Sequence, residues 1–123
     1  MNKDIIYKDL DSLLNTLNLI QEEQTVIKRK LSGLLDHVVP NHFIDWAEEI
    51  HQQILNREVA LQLLRKDIIA LKKTIVQKKS IIYFVNNQYV KLIIKYKEQI
   101  AYLENEFKLW AKVTAEKFDT IVA

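Results

Sequence analysis

The chain has no cysteine, one glycine and one proline among its 123 residues. Without thiols there are no disulfide staples, cysteine nucleophiles or thiolate zinc sites. Ordinary usage would supply about eight or nine glycines. Tight turns lean on glycine and proline, so sandwiches, barrels and Rossmann sheets are excluded. One glycine cannot build a glycine-rich phosphate loop either. Long apolar runs are also missing. The longest, such as Ile81 to Val85, fall far short of the ~20 residues that cross a bilayer. The opening stretch from Met1 to Leu10 is charged throughout and lacks the apolar centre of a signal peptide, which predicts a cytoplasmic protein.

Apolar residues make up 49% of the chain and charged residues 28%. That balance suits one folded domain, and the shortage of turn residues makes it a domain of long helices. The net charge of +2 hides a segregation. Residues 1–64 sum to −4, residues 65–97 to +8 and residues 98–123 to −2. A basic block therefore sits between two acidic flanks.

Apolar residues recur at alternating spacings of four and three. The first segment runs Ile6, Leu10, Leu13, Leu17, Ile20, Gln24, Ile27, Leu31, Leu34, Val38, with Gln24 its one polar member. This is a heptad seam, widened by Leu14 and Leu35 towards the broader stripe of a bundle. It ends before Pro40, because the residue preceding a proline is disfavoured in helix. Asn41 is placed to cap the next helix. The second segment runs Phe43, Ala47, Ile50, Ile54, Arg57, Leu61, Leu64, Ile68, Leu71, Ile75, broken only by Arg57. A hairpin turning near Pro40 brings Gln24 and Arg57 into one layer. A matched polar layer of this kind fixes register, with Glu22 or Glu23 as the counter-charge to Arg57.

The third segment carries Ile82, Tyr89, Ile93, Tyr96, Ile100, Leu103, Phe107 and Trp110, then Phe118 and Ile121. A turn near Lys78-Lys79, with Ser80 as cap, gives an all-α, three-helix up-down-up bundle of long antiparallel helices over roughly 4–38, 42–77 and 80–121. That turn sets Trp46 and Trp110 at one level. Three alternatives stand beside it. The turn could fall at Asn86-Asn87 instead. The seam runs on in phase through Lys78, Ile82 and Val85, which allows one continuous helix over 42–121 in an oligomeric coiled coil. The stretch from Ile81 to Val90 also has β propensity around Asn86-Asn87.

Few residues suggest chemistry. His37, His42 and His51 cluster about the first turn, and Glu48 with His51 makes one Glu-x-x-His pair. A di-iron bundle needs two such motifs and two further glutamates, so these four are weak metal candidates and no cofactor is expected. No serine has a histidine near it in sequence, and no strand-turn-helix elbow exists. Neither catalysis nor a small-molecule substrate is expected. Gly33, inside the first helix, either permits a close approach or has no role.

The basic block offers Lys72, Lys73, Lys78, Lys79, Lys91, Lys95 and Lys97 among Tyr83, Phe84, Tyr89 and Tyr96. Together they could bind phosphates of nucleic acid or an anionic membrane. The opposite end gathers Asp36, Asp45, Glu48, Glu49, Glu104 and Glu106. The favoured expectation is a non-catalytic helical interaction or scaffold module, associating with itself or with another helical protein.

Overall fold

A computed structural model describes residues 3–37, 39–77 and 87–122. They form three helices, α1 (Lys3–Leu35), α2 (Asn41–Gln77) and α3 (Asn87–Val122), and no strand occurs among the described residues. Asp4 in the first turn of α1 complements the positive end of the helix dipole. Alternate four- and three-residue steps bury Ile6, Leu10, Leu17 and Leu31 of α1 completely or nearly so. Each such side chain contributes about 1.5–3 kcal/mol.

α1 stops at Leu35, three residues short of the expected end. The His37 amide donates to the Leu34 carbonyl at 3.2 Å, closing the helix with one tighter turn. The cap of α2 also differs from expectation. The Pro40 carbonyl accepts from the amides of Phe43 (3.0 Å) and Ile44 (3.3 Å), so Pro40 holds the capping position and Asn41 is already helical. Proline fits there because its fixed φ and missing N–H cost nothing before the first turn.

α3 returns along α2 and runs parallel to α1. Lys97 pairs with Asp9 of α1 at 2.8 Å, and the Phe118 ring meets Trp46 of α2 edge-on at 5.4 Å. A single helix over 42–121 could not bring those two rings together, so the continuous-helix alternative is overturned. Of the third seam, Ile93, Ile100, Phe107 and Phe118 are buried within the chain. Asn87 to Val90 are helical rather than extended. The remainder of that β-prone stretch, with Lys78, Lys79 and Ser80, lies outside the described residues, as does Val38.

The core falls into two clusters. One holds Ile6 to Ile20 of the α1 seam against Leu61, Leu64, Ile68, Leu71 and Ile75 of α2 and Ile93, Ile100 and Phe107 of α3. The other joins Leu31, Phe43, Ala47, Ile50, Ile54 and Phe118 near the first turn. Ile27 and Trp110 touch both. Gln24, 1% exposed, lies between them on α1. Trp110 bonds to Gln53 while Trp46 contacts Phe118, so the two tryptophans are offset by about two helical turns (~10 Å) rather than level. Gly33 is exposed, and a methyl group added at its Cα would find nothing within 4 Å, so no neighbour exploits its missing side chain.

Candidate functional site

The three helices use their circumference differently. α1 and α2 bury nearly every seam residue. From Ile93 onwards α3 buries every seventh residue, Ile93, Ile100, Phe107 and Thr114, and adds Phe118 only near its end. The intervening Tyr89, Tyr96, Leu103 and Trp110 are half-buried, so the α2–α3 side of the bundle stays partly open. An opening of about 580 Å³ there is lined by Ala60, Leu63, Tyr102 and Leu103, with Asp67 and Glu98 on its rim. Burial raises the Tyr96 phenol above its ordinary value, and the Asp67 carboxylate adds to the rise. Further along the same side, Trp46, Leu109, Trp110 and Val113 line another opening of about 430 Å³.

α2 has a second apolar face, turned away from both neighbours. Leu55, Val59, Leu63 and Val76 are exposed by 37% to 60%, and Ile69 is half-buried beside them. At 100° per residue, Leu55, Val59, Ile69 and Val76 fall within an arc of about 100°. Leu55, Val59, Leu63 and Ile69 line an open groove of about 670 Å³, bordered by Glu58, Gln62, Arg65 and Lys66. Leu63 belongs to this groove and to the α2–α3 opening alike. These five apolar residues are absent from the sequence-based candidates. Their signal is present in the sequence all the same: apolar positions on α2 that are out of phase with its own seam.

The polar seam residues behave differently from each other. The Arg57 guanidinium donates through Nη1 to Glu106 Oε2 at 2.7 Å and through Nη2 to Oε1. It also lies 4.5 Å from the Trp110 ring centroid, and Trp110 Nε1 donates to Gln53 Oε1 at 2.7 Å. This forked pair and stacked ring tie α2 to α3. The counter-charge therefore comes from Glu106, not from Glu22 or Glu23, which are exposed. Gln24 lies between Gln21, bonded to Gln62, and Lys28, bonded to Glu58, which sets it opposite residues 59–61 of α2, about one turn from Arg57. No bond joins the two; neither Nε2 nor Oε1 of Gln24 has a partner.

The lysines of the basic block are divided. Lys72 Nζ donates to Asp11 at 2.5 Å and Lys97 Nζ to Asp9 at 2.8 Å, so the acidic start of α1 neutralises both. Lys73, Lys91 and Lys95 are exposed, and Lys78 and Lys79 lie outside the described residues. At the other end, Glu104 pairs with Lys108, while Asp36, Asp45, Glu48 and Glu49 are exposed. His37, His42 and His51 are exposed too, and among the described residues no three His, Cys, Asp or Glu side chains group to hold a metal ion. No helix among the described residues is long and apolar enough to cross a membrane.

No protein-family model, curated protein or solved structure matches this chain.

Proposed function

We propose that the chain is a non-catalytic helical interaction module that self-associates. One observation carries the reading: α2 is apolar on the face it turns outward as well as on the face it buries. A surface helix normally keeps one apolar stripe, and a helix apolar on both sides is one that something covers on both sides. Contiguous exposed apolar surface bordered by charge is the usual mark of an interaction site. The bundle covers the inner face of α2, and a further helix covers the outer one, extending the helical packing into an oligomer. In the same proposal Gln24 and Arg57 set the register of the three helices, and the protein works in the cytoplasm, where a chain without cysteine folds with no need of an oxidising compartment.

Light scattering on a size-exclusion peak, repeated across a concentration series, tests the proposal. Self-association gives a mass of at least twice 14.6 kDa that falls on dilution. A mass of 14.6 kDa at every concentration overturns it.

A further inference from the structure

We infer that the outer face of α2 receives the same face of a second copy, laid antiparallel across a two-fold axis beside Val59 to Leu63. The inference rests on the self-association proposed above and says how the copies meet.

Charge order along the face carries it. Glu48 and Glu58 precede its centre; Lys66 and Lys73 follow it. In an antiparallel pair, residues equidistant from the axis on opposite sides face each other. With the axis at Gln62, Glu58 of one copy then meets Lys66 of the other, four residues to either side. A parallel pair sets like charge against like. No ion pair among the described residues engages Glu48, Lys66 or Lys73. Glu58 has only its 3.4 Å contact with Lys28, at the margin of the face. Lys66 has no ion pair to give up, Glu58 has only the long one to Lys28, and their order specifies direction. A uniformly basic or acidic partner would match one half of the face and repel the other.

The apolar residues follow the same symmetry. Leu55 and Ile69 lie equally far from Gln62 and face each other across the pair, with Val59 and Leu63 near the axis. The same patch meets itself, as a two-fold contact requires. An axis at mid-helix lets the pairing extend along most of α2, whose 37 residues span about 55 Å.

The absence of cysteine makes a direct test possible, because each introduced thiol is unique. Gln62→Cys and Val76→Cys are placed singly in the full chain, their helicity is checked by circular dichroism, and each is oxidised mildly while the mass is followed. A disulfide needs Cα atoms within about 7 Å. Near the axis the two copies of position 62 meet that limit; fourteen residues away, the two copies of position 76 stand about 40 Å apart. The expected result is a doubled mass, a covalent dimer from Gln62→Cys and none from Val76→Cys. Lys66→Glu should weaken the dissociation constant about tenfold, and Glu58→Lys added to it should restore most of the loss.

Cross-linking at both positions means a parallel pair and overturns the inference. A doubled mass with no cross-link at position 62 and no effect of Lys66→Glu means that another face, such as the α2–α3 opening, makes the contact. That result overturns the antiparallel arrangement and leaves self-association standing. A monomeric mass throughout overturns both.

Discussion

Replacing Gln24 with leucine should stabilise the bundle. Gln24 is 1% exposed, and neither its amide nitrogen nor its oxygen finds a partner. A buried donor or acceptor left unpaired costs about 1–3 kcal/mol. Leucine has a similar volume, fits the four-three seam and brings no polar atom. Removing two orphaned groups at the lower end of that range gives a gain of about 2–4 kcal/mol. For a domain of this length the unfolding entropy converts 1 kcal/mol to about 4 °C, so Tm should rise by roughly 8–15 °C. Urea unfolding followed by circular dichroism checks the same number with an unchanged m value. Any fall in Tm refutes the reasoning and shows that the amide is satisfied in solution, by ordered water. Gln24→Glu supplies the opposite perturbation. It places an ionisable group between two apolar clusters and should lower stability at neutral pH by more than at acid pH, where the carboxyl is protonated. The stabilised leucine variant should also lose specificity of register, since nothing polar then distinguishes that layer from those above and below it.

Gly33→Ala should raise stability by about 0.5–1 kcal/mol in urea unfolding, because the site is helical and its new methyl meets open space. A loss of stability would show that a neighbour uses the gap. Phe118→Ala should cost about 3–5 kcal/mol, since the ring is 2% exposed, packs on Trp46 and joins the cluster at the first turn. A loss below about 1 kcal/mol would mean that α3 does not seal that end of the core. Tyr96 gives a pH dependence. Burial and Asp67 favour its neutral form, so its contribution is full below the unfolded value near pH 10 and disappears as pH rises through the higher folded value. Absorbance titration at alkaline pH, with Tyr96→Phe as reference, should lose an ionisation lying above 10. An ionisation lost at or below 10 would contradict the burial argument.

The parts of the fold that periodicity controls are legible in the sequence. The seams of α1 and α2 can be followed residue by residue, because a four-three spacing puts those side chains on one face whatever they meet. Gln24 stands out by the same rule as the polar member of an apolar series. Two kinds of feature are not legible. Ends depend on local hydrogen bonding that pattern does not encode, which is why α1 stops at Leu35 and Pro40 takes the capping position expected of Asn41. Partners depend on how each helix is rotated about its axis. Glu106 is 49 residues from Arg57, whereas Glu22 and Glu23 have only their nearness to the expected layer in their favour. The pairing of Asp9 and Asp11 with Lys97 and Lys72 follows from the same rotation and removes two cations from a patch that composition makes look uniform. The outer face of α2 falls between these cases. Leu55, Val59 and Val76 are visible as off-seam apolar residues, but only the bundle geometry reveals that no part of the described chain covers them.

The short connection through Pro40 also orders events in time. Lys28 and Glu58 are 30 residues apart in the chain, whereas Lys97 and Asp9 are 88 apart. Closing the longer loop costs about 1 kcal/mol more in chain entropy, which favours the α1–α2 contacts as the first to form. Helical hairpins close in microseconds to milliseconds, while a ribosome adds only about 5–20 residues per second. The α1–α2 pair thus has seconds in which to form before the last turns of α3 emerge. During that interval α2 offers two apolar faces to the surroundings, and neighbouring nascent chains on one messenger are the nearest surfaces able to meet the outer one.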